Sequence, residues 1–317
     1  MMLPATRSRG PWRLLAGAGA LAAGLLLFGA VATADARRPP PNIVTIVTDD
    51  QPLSMMDERA LPNTFKLLAD RGTSFTDSIV TTPLCCPSRA VLMTGQYAHN
   101  NGVARNNYGK LKQKRNTLPA WLQNAGYTTA HVGRYMNGYE GRVTRATEVA
   151  PGWDRWQTMI APRAFYDYPV SANGKRLSFG DSDRDYVTRV INRKSARLAR
   201  KLAKKSDPFY LQVDQFAPHR GVGGDGEACV GAALPDPRDL DAFGGEPLPD
   251  GGALNEADVS DKPSFVQALD PLDAAKLENL RVQYRCGLAS LIAVDRGVKR
   301  LVSAIDRAGE LGRTVFI

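Results

Sequence analysis

The run Asn42-Ile-Val-Thr-Ile-Val-Thr48 constrains the fold more than any other stretch, because it is short, β-branched and apolar without alternation. Such a run reads as a strand buried on both faces, the situation in a parallel sheet covered by helices. It ends in Asp49-Asp50-Gln51. Open α/β sheets bind ligands beyond the carboxyl ends of their strands, so this position is a candidate for chemistry. Two later runs repeat the pattern: Tyr127–Val132 stops at Gly133-Arg134, and Pro208–Phe216 delivers Ala217-Pro218-His219. Helical periods fall between them, at Leu61–Arg71, Leu118–Ala125, Tyr186–Lys205 and Pro271–Ala308, and Thr314–Ile317 begins another strand. Alternating strands and helices with polar residues at strand ends predict an α/β fold with a doubly wound, mostly parallel sheet flanked by helices. Residues 221–256 are rich in Gly, Pro and Asp and carry neither period, which reads as a binding loop or lid.

The densest chemistry lies in Cys85-Cys-Pro-Ser-Arg-Ala-Val-Leu-Met-Thr-Gly95. Pro87 fits the first position of a helix, Ser88–Met93 its body and Gly95 its stop. Cys85 then sits at a helix N-terminus, where free N–H groups and the dipole favour an anion. Arg89, one turn on, adds a positive fork suited to sulfate or phosphate. Paired cysteines can instead be buried small residues or half of a disulfide. A zinc knuckle is disfavoured, since no second Cys/His pair lies at ligand spacing. A thiol-phosphatase loop needs a longer gap between cysteine and arginine than the three residues here.

Cys85-X-Pro87-Ser88-Arg89 followed by Leu92-X-Thr94-Gly95 resembles the signature of the type I sulfatases. In that family the first cysteine is converted to formylglycine by a formylglycine-generating enzyme, and the aldehyde hydrate is the nucleophile. Cys85 is the position carried over. The resemblance covers about residues 42–317 and implies an alkaline-phosphatase-like architecture. It implies that Asp49, Asp50 and the converted Cys85 bind a divalent cation, Ca2+ or Mg2+, for which oxygen donors at a strand end are suited. Arg89 is expected to stabilise the hydrate, and His219 in Phe216-Ala-Pro-His219 to help release sulfate. Arg134 stands where the family usually has a sulfate-contacting lysine. It keeps the charge but is a poor proton donor. Met136 replaces a histidine common among relatives. His99 lies in a segment resembling the family's Tyr-X-His-Asn-His-Gly and is assigned no chemistry, while His131 reads as a core histidine within a buried strand.

The double cysteine, Gly133-X-Tyr135-X-Asn137-Gly138, Pro151-Gly-Trp-Asp154 and Asn255–Pro263 resemble the N-acetylglucosamine-6-sulfatase and heparan endosulfatase branch. That implies hydrolysis of sulfate esters on 6-O-sulfated glucosamine-type glycans. In the family the strand matching Thr314–Ile317 leads into a motif that completes the metal site, and a later lysine contacts sulfate. The sequence ends at Ile317, so a C-terminally truncated catalytic domain is expected over residues 37–317. An inactive remnant that binds anionic glycans, or a metal-dependent phosphatase or phosphodiesterase of the same fold, are the alternatives.

Residues 1–36 stand apart from that domain. Arg7, Arg9 and Arg13 precede an apolar run, Leu14–Ala32, and small residues follow at Ala32-Thr-Ala34 and Ala34-Asp-Ala36. This is a secretory pattern, cleaved or retained as an anchor, and it predicts a secreted or extracytoplasmic protein with membrane contact only if it is retained. The chain carries a net charge of +9, and setting aside Arg7, Arg9, Arg13 and Asp35 leaves it basic. A basic protein suits an acidic partner such as a sulfated glycan. Much of the charge lies in Arg184–Lys205, which reads as the solvated face of one helix. No aromatic residues interleave it as base stacking requires, so no nucleic-acid partner is predicted. With Cys85 converted, an exported chain can pair Cys229 with Cys286 or leave both reduced.

Overall fold

The computed structural model describes residues 39–139, 145, 147–221, 227–249 and 251–317; the secretory segment at 1–36 lies outside them. In chain order the strands are β1 (Asn42–Val47), β2 (Thr128–Gly133), β3 (Arg155–Met159), β4 (Pro169–Ala172), β5 (Lys175–Ser178), β6 (Phe209–Asp214) and β7 (Thr314–Phe316). The helices are α1 (Pro62–Leu67), α2 (Cys85–Thr94), α3 (Ala98–Asn101), α4 (Leu118–Asn124), α5 (Val187–Leu202), α6 (Ser264–Gln267) and α7 (Ala274–Asp306). One sheet takes the order β5-β4-β3-β2-β6-β1-β7, within Pro40–Ile317. The pairs β3·β2, β2·β6, β6·β1 and β1·β7 are parallel, and β4 and β5 add an antiparallel edge.

Both faces of the sheet are covered, as the continuous apolar runs require. Val44, Val132, Leu211 and Val213 pack into one core with α5 and α7. Tyr210 and Trp156 point the other way, into a second core with Cys86, Ala90 and Met93 of α2. This is the doubly wound, mostly parallel architecture expected from the sequence.

Two local expectations shift. The helix foreseen over Leu61–Arg71 ends as α1 at Leu67 and continues as a separate 3-10 turn, Ala69–Arg71. Pro87 is the third helical residue of α2, not the first, because Leu84 is the N-cap. Its missing N–H still falls among the first-turn groups that have no partner within the helix. Gly95 closes α2 as foreseen, in the left-handed region at φ 64°.

Candidate active site

Register places the site. Asp214, the last residue of β6, pairs with Val47 of β1 on one side and Gly133 of β2 on the other. Three strand ends therefore reach one line, which brings Asp49, Arg134 and Asp214 together. Gly133 is required there: at φ +116° its backbone passes so close to β6 that a Cβ would lie 1.8 Å from the Asp214 carbonyl oxygen.

Beyond this line β1 breaks. Asp50 adopts the left-handed φ of 62°, so the chain leaves the extended form between the two adjacent carboxylates. Asp49 is buried, 3% exposed, and turns inward. Asp50 turns out to meet α2 and the end of β6. The Cys85 thiol donates to Asp50 Oδ1 at 3.7 Å, and His219 Nε2 lies 3.4 Å from Asp50 Oδ2. The other ring nitrogen, His219 Nδ1, donates to the Arg220 carbonyl, and the ring stacks on Phe216 at 5.3 Å. Ligand atoms of Asp50, Cys85 and His219 all lie within 4.8 Å of one another.

Of the two adjacent cysteines only Cys85 faces this cluster. Cys86 is fully buried, and burial pushes its thiol up to about 11, which keeps it protonated and inert. The Cys86 backbone N–H, free in the first turn of α2, donates to Asn106 Oδ1 at 2.9 Å, so a distant side chain caps the helix.

Behind the cluster lies a buried network of charges. Arg89 Nη1 sits 3.1 Å from Asp214 Oδ2 and donates to the Arg134 carbonyl at 2.9 Å, and Arg89 Nη2 lies 3.4 Å from Asp49 Oδ1. Arg134 places its guanidinium on the other oxygen of Asp49. His131 bridges Asp214 at 2.9 Å and Thr158 at 2.6 Å, the satisfied core histidine expected from the sequence. Burial works against the charge on Asp214, but Arg89 and His131 outweigh it and hold the carboxyl below its usual range. Burial likewise opposes the Arg89 charge, and Asp214 and Asp49 outweigh it, so the guanidinium is held above its usual value.

The structure thus brings Cys85, Asp50 and His219 together at the surface, with Arg89, Asp49 and Arg134 directly beneath them. His99 is exposed and stacks on Tyr97, so it adds nothing to the cluster. Sequence reasoning missed Asp214 and Asn106. Asp214 stood in plain view at the end of a strand already marked as delivering His219, which was the available signal. Asn106 comes from a loop without period and carried none.

The donor set can be compared with a divalent ion. As thiol, imidazole and carboxylate it is a mixed S/N/O set. With the sulfur replaced by an oxygen at Cys85 it gains the hard donors that Ca2+ and Mg2+ take. Asp50 is open to such an ion, and Asp49 would share its carboxylate with Arg89 and Arg134.

A cavity of about 460 Å³ opens beside Asp50 and His219. Gly231, Leu248, Pro249 and Leu254, all from the 221–256 stretch, form one wall, and Tyr284 of α7 another. A disulfide, Cys229–Cys286, ties that stretch to α7. The loop read as a binding loop or lid thus contributes to the cavity wall.

A family model described as Sulfatase matches residues 41–317, and the chain belongs to the sulfatase family. It is 32% identical over 286 residues to an extracellular sulfatase Sulf-1 homolog of Caenorhabditis elegans, covering 87% of this chain and 38% of that protein. It is 31% identical over 288 residues to the N-acetylglucosamine-6-sulfatase of Homo sapiens, covering 86% of this chain and 50% of that one. The chain therefore spans half or less of the length of these two relatives. A solved structure in complex with its substrate D-glucosamine-2-N,6-O-disulfate superposes with a TM-score of 0.65 at 22% identity, over 87% of this chain and 64% of that one. At that identity the likeness establishes a shared fold, in keeping with the alkaline-phosphatase-like architecture.

Proposed function

We propose that the protein hydrolyses sulfate esters on 6-O-sulfated glucosamine-type glycans, with the hydrate of a formylglycine formed from Cys85 as nucleophile. The observation that carries this reading is the convergence of Cys85, Asp50 and His219 within 4.8 Å at the first turn of α2. The first turn of a helix favours the developing anion, and Arg89 adds fixed positive charge one turn below. Asp49, Asp50 and the converted Cys85 would hold a divalent cation, most simply Ca2+, which would supply Lewis-acid polarisation of a sulfate oxygen. The hydrate oxygen of residue 85 attacks sulfur, the S–O bond to the ester oxygen breaks, and the proton given up by the attacking hydroxyl ends on the departing alcohol. His219, its Nε2 directed at this point, takes the proton as the sulfated hydrate collapses to aldehyde and sulfate. Arg134 contributes positive charge beside Asp49.

Similarity to the N-acetylglucosamine-6-sulfatase supports the glycan class. The extracellular relative and the Arg-led apolar segment at Leu14–Ala32 support export, with a formylglycine-generating enzyme acting on Cys85. The test is sulfate release from a 6-O-sulfated glucosamine oligosaccharide by full chain co-produced with a converting enzyme, with Cys85→Ala as the blank. Turnover of aryl phosphate in preference to sulfate would overturn the reading in favour of a phosphatase. Glycan binding without turnover would overturn it in favour of a non-catalytic relative.

A further inference from the structure

Helix α5 carries two kinds of arginine. Near its start Arg189 pairs with Asp236 at 2.5 Å, and alongside it on α7 Arg296 pairs with Asp239. From Arg193 onward this pairing stops. Arg193 donates to the Arg184 carbonyl at 2.7 Å. Arg197, Arg200, Arg300 and Arg307 enter no ion pair among the described residues. Together with Arg193 they line a groove of about 320 Å³ between α5 and α7. A second groove, of about 550 Å³, opens on the other flank of α5, shares Arg197 and is lined by Arg155, Lys194 and Lys201. No carboxylate lines either groove.

The arrangement is periodic as well as basic. Arg193, Arg197 and Arg200 are all exposed and fall at helical spacing on one side of α5, a stripe about 10 Å long at ~1.5 Å per residue. Val190, Ile191, Ala199 and Leu202 occupy the buried side. Lys194 is half-buried under the stripe, with Nζ donating to Gln157 Oε1 at 2.8 Å and lying over the Phe179 ring. Desolvation and the neighbouring Arg193 and Arg197 lower its pKa. Self-repulsion of this kind destabilises a fold unless an anion neutralises it.

We propose that this double groove is a second, non-catalytic site that binds a sulfated glycan chain. Guanidinium forks match sulfate oxygens pairwise, and four of the five groups in the α5–α7 groove are exposed and without an ion-pair partner among the described residues. No aromatic side chain lines either groove, which disfavours single-stranded nucleic acid. The site is remote from Cys85. Helix α5 starts at the catalytic edge, where Val187 N–H donates to the Phe165 carbonyl and Phe165 packs on Phe216. It then runs toward Phe209 at the opposite edge, carrying the stripe with it. Such a site anchors a polymer while another part of the same chain reaches the cavity. The choice of a sulfated glycan over another polyanion rests on the proposed sulfatase reading.

The experiment is titration of the full chain with a heparin dodecasaccharide, read as binding without turnover, so that its outcome is independent of catalysis. Wild type is compared with Arg197→Ser/Arg200→Ser/Arg300→Ser and with the charge-preserving triple lysine variant. The expected results are at least tenfold weaker binding by the serine variant, near-normal binding by the lysine variant, and a salt dependence shallower by about two to three in the serine variant. Sulfate release from a monosaccharide substrate stays unchanged in both. Equal heparin affinity in the serine variant overturns the site, and tighter binding of single-stranded DNA of matched charge overturns the ligand. If the serine variant does not fold, protection of Arg197, Arg200 and Arg300 from phenylglyoxal by heparin in wild type decides: protection supports the site, and equal labelling refutes it.

Discussion

Asp214 is the residue on which the buried network turns, and Asp214→Asn is its most informative perturbation. The carboxylate faces donors on every side: Arg89 at 3.1 Å, His131 at 2.9 Å, and the Gln212 amide at 3.0 and 2.8 Å to its two oxygens. An asparagine of the same shape offers one acceptor oxygen, and its amide group must turn toward a neighbour that also donates. Removing one partner of a buried ion pair costs about 3–5 kcal/mol. Asp49 still lies 3.4 Å from the Arg89 guanidinium, which places the expected loss toward the lower end, about 3 kcal/mol. Urea unfolding measures this directly, and the melting temperature should fall by about 6–12 °C. Pairing the change with Arg89→Met in a double-mutant cycle should show a coupling of at least about 1 kcal/mol. A loss below about 1 kcal/mol, or additivity of the two changes, would refute the claim that Asp214 holds Arg89 in place.

The same groups set the acid limit. Asp214 and Asp236 are held below the ordinary carboxylate range by their arginine and histidine partners despite burial, so the unfolded chain takes up protons first as pH falls; their contribution is complete above about pH 4 and is lost as pH drops through the folded values, and a melting temperature that rises on acidification below pH 4 contradicts it. The Cys229–Cys286 disulfide spans 57 residues. A loop of that size implies about 4 kcal/mol from restriction of the unfolded chain, so the double serine variant should melt well below wild type, and an unchanged melt under reducing and non-reducing conditions counts against it. Ca2+ at a hundred times its dissociation constant should stabilise wild type by about 2.7 kcal/mol and leave Asp50→Asn unmoved in a thermal shift, and equal shifts in both proteins argue against Asp50 as a ligand.

Four of the five parallel strands, β1, β2, β6 and β7, were legible in the sequence as β-branched and aromatic runs; β3, Arg-Trp-Gln-Thr-Met, was not, because polar residues interrupt it. The antiparallel edge was not. Strands β4 and β5 are four residues each, and β5 is exposed throughout, so no apolar pattern marks them. A signal was present in Asn173-Gly174, which turn between the two strands at φ 48° and 87°, the positive values that this dipeptide favours in a tight hairpin. At the site, Cys85, Asp50 and His219 could be named because each stands at an element boundary. That Asp49 and Asp50 could both face one ion could be foreseen only as a condition, since adjacent residues of an extended strand point to opposite faces and can meet only where β1 breaks. The pairing of Arg134 with Asp49 depends on the β2–β6 register, which local sequence does not encode.

The central claim is that Cys85 is a precursor and not a working thiol. Intact mass and peptide mapping of the full chain, produced with and without a formylglycine-generating enzyme, test it most directly. The account predicts that the peptide carrying Cys85 loses sulfur and two hydrogens and gains one oxygen, that Cys86 in the same peptide remains a thiol, and that sulfate release rises in proportion to the converted fraction. Full sulfate release from protein whose Cys85 remains entirely a thiol would contradict it.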